Sequence, residues 1–125
     1  MKLPVLLFDP DPAACRVLAA QLRHAGFATY ISFDGSAAVS SARGQQFASI
    51  VVVADLANSQ MRRCLHELRD ADPAAWLIVI SNPAVEGDRD VVRNLGGNAM
   101  MNMPFSILDL TQRLSVISVH VQPVA

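Results

Sequence analysis

The chain is short of almost everything that marks a metalloprotein, a nucleic-acid binder or a membrane protein. Its 125 residues contain two cysteines, Cys15 and Cys64, which make neither a disulfide framework nor a zinc knuckle. Three histidines, His24, His66 and His120, fall on three separate segments with no convergent ligand set, and read as surface residues. Charge of one sign is missing: ten Lys and Arg stand against eleven Asp and Glu, a formal net charge of −1 at pH 7. With no basic excess, and only Arg62-Arg63 as a small basic cluster, direct nucleic-acid binding is not expected. Long apolar runs are missing too. The longest, residues 50–54 and 76–80, fall far short of the roughly 20 residues that cross a bilayer. The N-terminal apolar stretch meets Asp9 too early for a secretory signal. No membrane contact is expected, and the location is read as cytoplasmic. Glycine-rich phosphate loops are absent, as is a nucleophile elbow at Ser36, Ser40 or Ser41.

What is present is apolar and regular. At 52% hydrophobic and 17% charged, the chain has the composition of a folded domain. Its length fits one such domain over residues 1–125, with a core at about 5–118 and a tail or linker start at 119–125. Residues 5–8 form an unbroken apolar run, as expected of a strand covered on both faces. Asp11 and Pro12 then suit the N-cap and first position of a helix that Gly26 stops. Residues 27–33 read as a second strand, and Asp34-Gly35 opens a small-residue helix over 36–43. Residues 49–54 are the clearest strand. Asn58 or Ser59 caps a helix carrying Met61, Leu65 and Leu68, which Pro73 closes. A fourth strand covers 76–80, a helix 86–95 stopped by Gly96-Gly97, and a short strand 99–103. Ser106 caps a last helix with Ile107, Leu108, Leu110, Leu114 and Ile117 on its apolar side.

Five strands alternate with five helices. That pattern calls for a parallel sheet with right-handed crossovers and helices on both faces. The expected class is α/β, a flavodoxin-like doubly wound five-stranded sheet of order 2-1-3-4-5. The first and fifth helices then share one face, so Cys15 and Cys64 lie on opposite sides and cannot be bridged.

At this point the chain resembles the receiver domain of two-component response regulators, from Val5 to about Leu114. Four stretches carry the resemblance in order: residues 5–12, residues 27–35, Leu77-Ile78-Val79-Ile80-Ser81, and residues 96–105 ending in Met103-Pro104-Phe105. The resemblance implies a phosphorelay signalling domain in which two acids hold Mg²⁺ and an aspartate accepts a phosphoryl group. It also implies a Ser/Thr and a Lys that contact that group. Carried over by position, the first acid is Asp9 and the second is Pro10, with Asp11 next. The Ser/Thr is Ser81, the Lys is Met103, and the aromatic switch position is Met100. The acceptor position is Val53, which cannot take a phosphoryl group. The alternative acceptor is Asp55, two residues on, and only that alternative calls for Mg²⁺.

The resemblance therefore implies a degenerate, pseudo-receiver type, not an enzyme, without metal or other cofactor. Val53, Met100, Met101 and Met103 suggest an apolar plug where the family keeps a charged pocket. The implied contact face is the fourth helix (Asp88, Arg89, Asp90, Arg93), the fifth strand and the fifth helix (Asp109, Gln112, Arg113). Partners would be another protein, an output domain or a second copy, with charges pairing across a two-fold axis. A flavodoxin-like small-molecule-binding module is the remaining alternative, although the missing phosphate loop argues against flavin.

Overall fold

The computed structural model describes residues 4–120. The expected tail therefore lies, from residue 121 onward, outside the described residues, and so does the side chain of His120. Five strands and five helices alternate: β1 (Pro4–Phe8), α1 (Pro12–His24), β2 (Ala28–Ser32), α2 (Gly35–Gly44), β3 (Ser49–Ala54), α3 (Ser59–Ala71), β4 (Trp76–Ser81), α4 (Asp88–Asn94), β5 (Ala99–Asn102) and α5 (Ile107–His120). The sheet is wholly parallel with order β2-β1-β3-β4-β5, as the alternation predicts. No described helix is long and apolar enough to cross a membrane.

Strand side chains alternate between two cores. Leu6, Phe8, Ile50, Val52, Leu77 and Val79 pack with Val39, Leu65, Leu68 and Val92 from α2, α3 and α4. Val5, Leu7, Val51, Val53, Ile78 and Ile80 pack with Leu18, Leu22, Leu110 and Leu114 from α1 and α5. Cys15 and Cys64 belong to opposite cores, and both are free thiols. Side-chain caps begin the first three helices. Asp11 accepts from the Ala13 and Ala14 amides, Asp34 from Ala37, and Asn58 from Met61.

Two sequence expectations need correction. The fourth helix starts at Asp88, later than residue 86, because Gly87 takes the left-handed conformation at φ 90° and ends the preceding turn. Leu108 is not on the apolar side of α5. It is 63% exposed, whereas Leu110, Leu114 and Ile117 are buried. At 100° per residue, Leu108 has turned off the stripe that 110, 114 and 117 define.

Arg69 ties the amino-terminal edge of the sheet together. Its guanidinium donates to the carbonyls of Gly96 (2.9 Å), Pro73 (3.0 Å) and Ala75 (2.8 Å) and to Asn98 Oδ1 (2.7 Å). Asn98 Oδ1 also accepts from the Leu77 amide at 2.8 Å. The turn before β4 and the turn before β5 thus share one cation. Arg69→Ala is expected to cost about 2–4 kcal/mol, since several partly buried acceptors lose their donor together. A urea melt measures it, and a loss within experimental error would contradict this role.

Candidate functional site

The carboxyl ends of β1, β3, β4 and β5 bring the sequence-predicted positions toward one edge. The ladder fixes their heights. Phe8 pairs with Val52, Val53 with Ile80, Ala54 with Ser81, and Ser81 with Asn102. Asp9 is the next residue after Phe8, as Val53 is after Val52. Residue 53 is thus the last β3 position on the α1/α5 side. It is a valine, 6% exposed and packed into that core.

Asp9 is buried, and its main-chain amide donates to the Ser32 carbonyl at 3.2 Å. Its Oδ1 accepts from the Asp11 amide at 2.9 Å. Burial pushes the Asp9 carboxyl above the ordinary aspartate range. The Asp11 amide opposes that shift and the Asp11 charge adds to it. Asp11 itself is an exposed helix cap, and Pro10 is exposed with no side-chain oxygen. Asp55 lies beyond β3 in an exposed turn. Its Oδ1 accepts from the Ala57 amide at 3.0 Å, and its carbonyl accepts from the Asn58 amide at 3.1 Å.

Ser81 is fully buried. Its hydroxyl sits 2.5 Å from Asp88 Oδ2 and 3.1 Å from the Pro83 carbonyl, so its single proton is shared between two internal acceptors. Asp88 Oδ2 also accepts from the Val85 amide at 2.7 Å. One carboxylate therefore gathers the end of β4, the following loop and the start of α4. This corrects the expectation that Asp88 belongs to an exposed contact face, because it is 7% exposed and turned inward. Sequence reasoning missed the pairing. The available signal was an acid directly after Gly87, at a helix start.

The methionines correct a second expectation. Met101 packs with Val53 in the α1/α5 core, while Met100 packs against the opposite core. Neighbouring strand residues face opposite ways, so they cannot form one plug. Met103 is 37% exposed, and its amide donates to the Ser81 carbonyl at 3.1 Å. On the anticipated contact face, Arg89, Asp90, Arg93, Gln112 and Arg113 are exposed and Asp109 is half-buried. Their charges already pair within each helix, Arg93 with Asp90 at 3.7 Å and Arg113 with Asp109 at 3.3 Å.

Magnesium is held by several oxygens in near-octahedral geometry. Here Asp9 is buried at the end of β1, the other buried carboxylate near the strand ends, Asp88, is engaged by Ser81 and the Val85 amide, Pro10 and Val53 offer no side-chain oxygen, and Asp11 is spent on a helix cap. Among the described residues no three acids, histidines or cysteines come together as a metal site. This donor set does not fit the ion.

Comparison with known proteins gives the architecture a name. No protein-family model matches the chain. The CheY-like response regulator receiver domain protein from Methanospirillum hungatei superposes with a TM-score of 0.80 over 93% of each chain, at 17% identity. The receiver domain of sensor histidine kinase PA1611 from Pseudomonas aeruginosa gives 0.75 over 95% of this chain and 97% of that one, at 25% identity. This is the receiver fold. That second receiver was solved with magnesium coordinated in its active-site cleft. Among curated proteins, the probable transcriptional regulatory protein TcrX of Mycobacterium tuberculosis is 27% identical over 113 residues. The match covers 90% of this receiver-fold chain and 48% of TcrX, so the chain spans about half the length of that relative.

Two outcomes follow from the geometry. Because the folded-state pKa of Asp9 lies above the ordinary value of 3.8, the folded chain holds a proton that the unfolded chain releases. Stability therefore falls as pH rises through that window, and the deficit persists at pH 7. Asp9→Asn keeps the acceptor for the Asp11 amide and is expected to raise the urea midpoint at pH 7 and flatten its change above pH 4. A lowered midpoint at pH 7 would contradict this. Ser81→Ala and Asp88→Ala are each expected to cost about 1–3 kcal/mol. The two losses should be non-additive in a double-mutant cycle, and strict additivity would break the proposed link.

Proposed function

We propose that the chain is a pseudo-receiver domain of two-component phosphorelay signalling, acting by protein contact without accepting a phosphoryl group. The observation that supports this most strongly is Val53, the last β3 residue on the Asp9 side of the sheet, paired with Ile80 one step before Ser81. A branched hydrocarbon there has no lone pair with which to attack phosphorus. The changes around it are coherent. With no acceptor, a metal has no charge to organise, and a lysine at position 103 would be an ammonium without an anion. Methionine at 103 needs no partner.

In this reading Ser81 and Asp88 do not sense a ligand; they hold the loop from β4 to α4 in one arrangement. The neighbouring face carries Arg89, Asp90, Arg93, Asp109, Gln112 and Arg113, with Leu108 exposed beside Asp109. That face would meet a protein partner, an output domain or a second copy, in the cytoplasm. No residue is assigned a catalytic role.

The competing reading makes Asp55 a working acceptor with Mg²⁺. Incubation with acetyl phosphate and Mg²⁺, followed by intact mass measurement, separates the two. The expected spectrum shows only the unmodified chain, for wild type and Asp55→Asn alike. A phosphoryl adduct on wild type that disappears in Asp55→Asn would overturn the proposal.

A further inference from the structure

A cleft of about 790 Å³ opens between α2 and α3, beyond the ends of β1 and β3. Its margin is built from residues at or beyond three strand ends: Phe8 at the end of β1 and Pro10 after it, Phe33 and Asp34 after β2, Asp55 and Asn58 after β3. The cleft lies on the face that α2 and α3 share, bordering the point between β1 and β3 where the chain switches faces. The volume falls within the range of small-molecule sites.

The walls are two helical stripes. From α2 come Ser36, Val39, Ser40 and Arg43; from α3 come Gln60, Met61, Arg63 and Glu67. The helices close on each other at Gly35, where an added Cβ would meet Cys64 Sγ at 3.0 Å. Beside that contact the short serines leave the space unfilled. Arg43 and Arg63, one on each wall, are exposed and have no hydrogen bond or ion pair among the described residues. Arg23, Arg62, Arg69 and Arg113 are all engaged elsewhere in the chain. The acids at the margin are partly committed: Asp34 accepts from Ala37 N at 2.8 Å, and Asp55 from Ala57 N at 3.0 Å. Cys64 adds no charge, because burial pushes its thiol up to about 11.

The balance of groups defines the ligand. Three carboxylates around the cleft (Asp34, Asp55, Glu67) oppose a multiply charged anion. Two unpaired guanidiniums favour a single carboxylate, sulfonate or phosphodiester group. Met61, half-buried, offers apolar surface beside them, and the nearly buried Phe8 and Val39 lie at the cleft floor. We propose that this cleft binds a small monoanionic, partly apolar organic molecule, its anionic group held between Arg43 and Arg63 and its body against Phe8, Val39 and Met61.

The test uses 8-anilinonaphthalene-1-sulfonate, an aromatic monoanion, titrated into the ¹⁵N-labelled full chain and read by amide chemical shifts. Saturable one-site shifts along α2 and α3 are expected. Binding should weaken about tenfold in the Arg43→Gln/Arg63→Gln double variant, and comparably for N-phenyl-1-naphthylamine, which lacks the sulfonate. Both arginines are exposed, so the variant should keep the wild-type fold. Ser40→Trp, which fills the cleft from the α2 wall, should abolish the shifts. Shifts confined to other surfaces, non-saturable binding, or equal affinity in the double variant would overturn the proposal. None of these readouts depends on the phosphodonor experiment, which reports on Asp55 by mass.

Discussion

The pairing of β3 with β4 decides what the carboxyl edge of this molecule can do. Six consecutive rungs, from Ser49 opposite Trp76 to Ala54 opposite Ser81, fix the height of every side chain on β3. Both faces of that strand are buried, so a one-residue slip would send the Val51 and Val53 face into the wrong core. A two-residue slip would preserve facing but lift the strand by about 6.5 Å and empty a rung at its start. The register is therefore held by packing along its whole length. Its consequence at the edge is that Val53 closes the ladder on one face, while Asp55 falls into the turn beyond.

The polar groups left at that edge are settled internally. Ser81 gives its proton to Asp88 and Pro83, Asp88 also takes the Val85 amide, and Asp9 takes the Asp11 amide. Among the described residues no buried side-chain nitrogen or oxygen lacks a partner. A site built to receive a charged group from outside keeps donors free for it. Among the described residues this edge keeps no buried side-chain donor free. Asp9 is its least comfortable member, a buried carboxyl whose pKa burial raises.

Much of the architecture was legible in the residues. Short unbroken apolar runs such as 50–54 read as strands covered on both faces, and Asp11-Pro12, Asp34-Gly35 and Asn58 mark helix starts by simple capping chemistry. Of the candidate site, what the residues foretold was position: Asp9 and Pro10 follow β1, and Val53 lies in the last rungs of β3. What escaped was relational. Asp88 looked like another helix-surface acid because its partner, Ser81, lies across a loop. Met100 and Met101 looked like one cluster because adjacency in sequence hides opposite facing on a strand. Leu108 looked like core until the turn of α5 carried it outward. The cleft between α2 and α3 had no sequence signal beyond small residues on one helix, which are equally compatible with close packing.

The β1–β3 pairing ends with Phe8 opposite Val52, which sets residue 53, and not residue 55, beside Asp9. Titrating the Asp9 carboxyl carbon by NMR in wild type, Val53→Asp and Asp55→Asn tests it directly. The charge that acts on Asp9 in the structure is that of Asp11, so Asp55→Asn should leave the Asp9 titration where it is. Val53→Asp should displace it upward, because a second carboxylate then stands beside the first. An Asp9 titration that moves with Asp55→Asn and ignores Val53→Asp would contradict the register on which the whole reading stands.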